Sequence, residues 1–383
     1  MTDFPDPFRA KRQQDGVLVC PFQPGDEKIP MILGYRDVRK AAKDWPTYSS
    51  DAPFRLPIPS EEKWRTIRQL PFETDPPDHT DYRQIIEPFF RRPTQPEVIE
   101  RITQLVQAQV QEALSRDSIE VVRGFSLPLQ SRALTILFNV PASEAELWIS
   151  WGTSVFLDGD GVEKGAALER YINGQLNRAE AQPGDDFFSV LAHAPFRGRK
   201  LTRTEMLGFA NLTFSGGRET IIHTVSTVIA YLADTPEALD FLRADPGRLV
   251  TATEEFVRIV SPLTHMGRVC KKGADVLGVP VEPDGRASLC WASANRDDTV
   301  FEEPDRLKLD RSPNPHVGFG SGIHACMGAP HARLILRTLL QTLCEQVGRV
   351  EVLEAQPHLE KEAEYQRAVG YTRLVTRFHP RAT

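Results

Sequence analysis

The chain has 383 residues, 40% of them hydrophobic and 26% charged, with a formal net charge of -6 at pH 7. That length holds one large domain or two to three smaller ones, and the mild acidity speaks against nucleic acid and anionic membrane surfaces as partners. Five cysteines (Cys20, Cys270, Cys290, Cys326, Cys344) lie far apart with no C-x-x-C pair, which excludes a disulfide framework or a zinc knuckle and suits a reducing compartment.

The opening MTDFPDPFRAKRQQDG is polar and broken by proline, so no signal peptide is visible. The longest apolar stretch, IIHTVSTVIAYLA, is too short and too polar to span a bilayer. A soluble, cytoplasmic protein without a membrane anchor, and a monomer, is expected. No repeat or linker divides the chain. The expected organisation is a single domain over 1–383, mainly α with a minor β region: a small β part at about 17–75, then a helical core from about 76 to 383.

In chain order, VLVCPFQPGDEKIPMILG reads as a short sheet region with a turn at Pro24-Gly25. Residues 50–77 are rich in proline and read as a long irregular loop, a kind of segment that is often functional. EVIERITQLVQAQVQEAL has apolar residues at helical spacing; so has SEAELWISWGTSVF, where Ser143 and Glu146 form a candidate capping box. Residues 201–234 contain no proline and can be capped by Thr202 and Glu205. They predict a central helix about 45–50 Å long at 1.5 Å per residue, apolar around most of its girth and so buried on most sides. Within it, SGGRET places two glycines where each costs about 1 kcal/mol relative to alanine, so a local kink or bulge is expected. A further helix over about 247–260 ends at Ser261-Pro262, short β-like pieces follow near 266–292, and a last helix begins near Met327.

The segment HVGFGSGIHACMGAP poses the functional question. Its glycines at 318, 320, 322 and 328 permit a tight backbone with positive φ and let main-chain N–H groups crowd a cysteine sulfur. A thiolate is stabilised by such donors, by a following helix N-terminus and by a metal. An inert thiol needs none of this. A thiol nucleophile would need a base, and His324, two residues from Cys326, need not face it.

Phe319-Gly320-x-Gly322-x-His324-x-Cys326-x-Gly328 resembles, at every defined position, the haem-binding loop of the cytochrome P-450 family. The resemblance implies that fold, a single large triangular helical domain with a long central helix, and Cys326 as the thiolate ligand of haem b iron. Three more stretches match in order. Glu255-x-x-Arg258 in EEFVRIVSP is similar to the family's buried ion network, since positions i and i+3 share a helix face and inward charges survive only by pairing. Arg306 resembles its third member, although Leu307 stands where many relatives carry phenylalanine. His79 and Arg83 in ETDPPDHTDYRQIIEPFF, with Arg268 and His324, match the contacts to the haem propionates, where carboxylates near a low-dielectric pocket require cations and N–H donors. ANRD (294–297) matches as a structural segment.

SGGRET resembles the segment beneath which dioxygen binds. It implies that Gly216 leaves space above the iron, that Thr220 hydrogen-bonds bound oxygen, and that Glu219 relays protons from solvent. The implied activity is a monooxygenase inserting one oxygen atom of O₂ into a small-to-medium organic substrate, by hydroxylation or O-/N-dealkylation. Peroxide-driven oxidation and a non-catalytic haem sensor are the alternatives, and the Glu219-Thr220 pair favours O₂ over both. Pocket walls are expected from 50–72, 150–185, Leu212 to Gly216 and Leu263 to Gly267, with Thr264 and His265 offering polar contacts. A small aromatic or oxygenated substrate with one polar anchor is expected, with fatty acids and terpenoids as alternatives. No flavin or iron–sulfur segment is apparent. Electrons from NAD(P)H are therefore expected through a separate reductase and ferredoxin, docking at Arg91, Arg92 and Arg333.

Overall fold

The structure is a computed structural model that describes residues 4–21, 28–63, 65–153 and 161–382. The turn expected at Pro24-Gly25, and part of the pocket wall expected over 150–185, lie outside those residues. The helices are α1 (Arg9–Gln14), α2 (Tyr35–Ala41), α3 (Asp78–Phe90), α4 (Pro96–Leu114), α5 (Leu127–Phe138), α6 (Glu144–Ser150), α7 (Gly161–Ala181), α8 (Phe187–His193), α9 (Arg203–Gly216), α10 (Glu219–Asp234), α11 (Glu237–Arg243), α12 (Arg248–Val260), α13 (Trp291–Ala294) and α14 (Ala329–Gln346).

The apolar spacing read in 97–114 is the buried face of α4: Val98, Ile102, Val106, Val110 and Ala113 recur every three or four residues and enter the main core. Helix α10 lies deep in the same core, with Ile222, Val225, Val228 and Ile229 fully buried. At α9 the expected cap is formed. The Thr202 hydroxyl accepts from the Glu205 N–H, and the Glu205 carboxylate accepts from the Thr202 N–H. Arg199, which grips both Glu205 oxygens at 2.7 Å, holds that carboxyl down at about 2. The capping box expected at Ser143 is not formed. Ser143 stands at the N-cap of α6 in helical conformation (φ -61, ψ -23), and its hydroxyl caps nothing.

Two further expectations change. The long central helix is two helices, because α9 ends at Gly216 and α10 begins at Glu219. The C-terminal part of the presumed helical core is instead a hairpin of strands Val347–Lys361 and Gln366–Pro380. The sheet seen in the N-terminal sequence pairs Val17–Pro21 with Lys28–Ile32. It is completed by Gly285–Cys290, parallel to the second strand, and His265–Cys270, antiparallel to the last.

The proline-rich loop over 50–77 spans from this sheet to α9. Gly267 N–H donates to Leu56 O at 2.8 Å, and Leu70 N–H donates to Gly208 O at 3.3 Å. At both glycines an added Cβ would collide with a loop carbonyl, Leu56 O or Arg68 O. Inside the loop Glu73, fully buried, accepts from Phe54 N–H, Gln69 N–H and the Arg65 guanidinium. That charge survives burial because its lone pairs are all engaged.

Candidate haem-thiolate site

The cysteine loop is shaped by its glycines. Gly320 and Gly322 both have φ +74, and a side chain on Gly322 would strike Ala42 O. Cys326 N–H donates to Phe319 O at 2.8 Å, closing the loop on itself. The N–H groups of Gly328 and Ala329 point at the Cys326 sulfur, which sits just before the first turn of α14. Burial pushes its thiol up from the usual cysteine range, against those N–H groups and the charges of Arg83 and Arg333. Cys326 is surrounded by protein yet reachable by a water-sized sphere, whereas the other four cysteines are buried.

Beside it the fold gathers His79 and Arg83 from α3, Arg268 from the sheet and His324 from the loop. The His79 and His324 rings meet edge to face at 4.3 Å, and Arg83 donates to Ile323 O at 2.7 Å. Burial, with Arg83 adding to it, brings His79 down to about 4. Burial also lowers His324 well below its ordinary value, with Arg268, His79 and Arg83 contributing. Arg268 is 3% exposed and pushed down to about 10 by burial; its guanidinium donates to the carbonyl of its neighbour Gly267. His324 Nε2 is buried with no partner among the described residues. Buried Arg268 and the unpartnered His324 nitrogen, with Arg83 beside them, suit an anion placed between them. Two carboxylates of a haem fit that requirement, and the accessible sulfur fits its iron.

Helices α9 and α10 are interrupted at Gly217 (φ -94, ψ 5) and Arg218 (φ -105, ψ -74). The carbonyls of the break are satisfied: Gly216 O accepts from Thr220 Oγ1 at 3.3 Å, Gly217 O from Gln130 Nε2 at 2.8 Å, and Arg218 O from Ile222 N–H at 3.2 Å. Gly216 opens onto space, since an added Cβ would meet no atom within 4 Å. Glu219 and Thr220, both half-buried, form the first residues of α10 at this opening.

The ion network differs from the expectation in one member. Arg258 donates to both oxygens of Glu255, at 2.7 and 2.8 Å, and both residues are fully buried. The third member is Arg311, with Nε 3.0 Å from each Glu255 oxygen, and not Arg306. The Arg306 side chain is 70% exposed and faces Glu303; only its carbonyl joins the network, accepting from Arg258 and Arg311. Asn295 of the ANRD segment links this network to the cysteine loop: its carbonyl accepts from Arg258 and its Oδ1 from Val317 N–H.

Thr264 and His265 are also corrected. The Thr264 hydroxyl donates to Glu360 and accepts from Arg367, and His265 Nδ1 pairs with Ser288 Oγ at 2.9 Å. Both residues are buried in that network, whereas Leu263 is 43% exposed. Arg333 is held by both oxygens of Glu254 at 2.7 Å and lies over the Phe319 ring, so it is not a free docking charge. Missed in the sequence was a polar cluster one turn before Gly216. Gln69 Nε2 donates to Asn211 Oδ1 at 2.9 Å and to Ser215 Oγ at 2.8 Å.

The chain is 32% identical over 295 residues to linalool 8-monooxygenase of Pseudomonas putida, covering 74% of this chain and 72% of that protein. It belongs to the cytochrome P450 family. The family model described as Cytochrome P450 matches residues 175–347. A solved structure described as a carbohydrate active P450 superposes with a TM-score of 0.96 at 48% identity, covering 99% of each chain. A mutant of P450 EryK in complex with erythromycin B superposes at 0.84 with 25% identity, covering 98% of this chain and 96% of that one. This P450 is accordingly a haem-thiolate monooxygenase, and the family's chemistry uses haem with a cysteine thiolate and O₂. Among the described residues no helix is long and apolar enough to cross a membrane.

Proposed function

We propose that this P450 inserts one oxygen atom of O₂ into a hydroxyl-rich, carbohydrate-like substrate, with electrons from NAD(P)H delivered by a separate reductase and ferredoxin. The observation that carries the substrate class is the 48% identity and 0.96 TM-score to a carbohydrate active P450. The Gln69, Asn211 and Ser215 cluster beside Gly216 supports it, because buried amides left with spare donors and acceptors suit hydroxyl partners better than a hydrocarbon. The reading narrows the oxygenated substrate expected from the sequence.

In this reading Cys326 provides the thiolate, held by the N–H groups of Gly328 and Ala329. Arg83 and Arg268 would neutralise the two carboxylates, and His79 and His324 would donate ring N–H groups to them. Bound haem supplies the activation of dioxygen, and the overall reaction turns a C–H bond, O₂, two electrons and two protons into C–OH and water. The chain's own part is to deliver those protons and restrict water. Glu219 carries a proton inward, Thr220 holds it at its hydroxyl, and Gly216 keeps the space clear. The retained Glu219-Thr220 pair supports O₂ over peroxide as oxidant.

The test has two stages. Reduced protein under carbon monoxide should show the red-shifted Soret band of a thiolate-ligated haem. Substrate-dependent O₂ and NAD(P)H consumption should then be measured with a surrogate reductase and ferredoxin against parallel panels of sugars and terpenoids. Turnover confined to terpenoids would overturn the substrate class, and turnover with peroxide alone would overturn the electron supply.

A further inference from the structure

Arg218 stands at the break between α9 and α10 and is 2% exposed. Among the described residues its guanidinium forms no ion pair within 4 Å, and the neighbouring Glu219 carboxylate acts on it only through the field. Its Nε donates to Gly152 O at 2.8 Å, and its terminal nitrogen donates to both Trp148 O and Gly152 O. These carbonyls close the C-terminal end of α6, where Gly152, at φ +82, turns the chain back. A helix C-terminus carries partial negative charge and unsatisfied carbonyls, so it is a natural seat for a guanidinium. The seat is still a costly one. Burial draws the arginine down to about 10, and an apolar side chain would fill the same volume without that penalty.

The rest of the junction is built around the same contact. Phe214, in the last turn of α9, packs edge-on against Trp148 and Trp151 with ring centroids 5.0 and 6.1 Å apart. Arg218 carries that contact across the break, and Gln130 of α5 secures the intervening Gly217 carbonyl. The next residues along the chain are Glu219 and Thr220.

We infer that Arg218 is a positioning residue: by clamping the break onto the end of α6 it fixes the orientation of Glu219 and Thr220 and couples that orientation to α6. Gln130 acts from the other side of the break. The inference concerns the site proposed above but is tested separately from it.

The experiment compares Arg218→Met, Arg218→Lys and Gln130→Met with the parent holoprotein by amide hydrogen exchange and by the infrared stretch of bound carbon monoxide. In Arg218→Met, exchange should rise about tenfold or more in two segments together, 144–152 and 213–222, and the carbon monoxide band should broaden or split. Arg218→Lys, which keeps one donor group, should fall between Met and parent. Gln130→Met should raise exchange at 213–222 only. If Arg218→Met does not fold, the other two variants decide the matter by the same readouts. Unchanged exchange and an unchanged band, or a rise spread evenly over the molecule, would overturn the clamp. A parent protein without a thiolate carbonyl spectrum would overturn the haem reading instead, leaving the exchange result to stand alone.

Discussion

Replacing Arg311 by leucine tests the reassigned ion network most directly. Glu255 is fully buried and accepts from Arg258, Arg311, Lys308 N–H and Asn314. Arg311→Leu removes one of its two cations, takes the Arg311 donor from Glu302 O, and leaves Glu303 O and Arg306 O with one donor fewer each. Breaking a buried pair from one side costs about 3–5 kcal/mol, since the surviving charge stays buried. For 383 residues the unfolding entropy is about 0.8 kcal/mol/K, so the melting temperature should fall by about 4–6 °C. The assay is urea and thermal unfolding followed by tryptophan fluorescence, with Arg306→Leu in parallel. The Arg306 variant should match the parent within error, because its side chain is exposed and reaches only Glu303. Equal losses in the two variants would refute the assignment of Arg311.

Cys326→Ala should abolish the thiolate carbonyl band while leaving the far-ultraviolet circular dichroism unchanged; a retained band would remove the sulfur from its role. Thr220→Ala should divert electrons from product to peroxide, measured as peroxide released per NAD(P)H consumed, and unchanged coupling would count against the hydroxyl. Arg268→Leu should weaken haem retention, read as faster transfer of haem to apomyoglobin. The pH dependence has a definite sign. Burial holds His223 and His265 near about 4, below their ordinary 6.5. Both therefore take up protons on unfolding in acid. Their contribution to stability is whole above about pH 6.5 and drains as pH falls towards about 4, by up to about 1.4 kcal/mol per pH unit each. His223→Phe should flatten the acid limb of a stability–pH curve by about one proton, and an unaltered slope would contradict the burial argument.

What could be read in advance was local. The glycine spacing around Cys326, the Glu255-x-x-Arg258 pair and the Thr202 cap all act within one turn or loop, so their residues are near neighbours in the chain. Arg306 and Arg311 share an irregular loop with no periodicity, and which guanidinium reaches Glu255 depends on the path of that loop, which spacing does not encode. The final hairpin was hidden because its first strand is charged, largely unburied and interrupted by register shifts between Val352 and Glu354 and around Pro357, which blur alternation. The role of Arg218 was unreadable for another reason: its partners are main-chain carbonyls, which leave no mark on side-chain pattern. Thr264 looked available because its neighbours Glu360 and Arg367 lie about a hundred residues further on.

The contacts at Gly208 and Gly267 limit how this protein can be re-engineered. A roof that rests on bare main chain at two edges cannot be raised by trimming what lies under it, since nothing is there to trim. Thickening either edge would push the loop away and unseat the salt-bridged carboxylate at its centre. Libraries that vary this loop should therefore leave positions 208 and 267 alone and sample side chains on the span hanging between them.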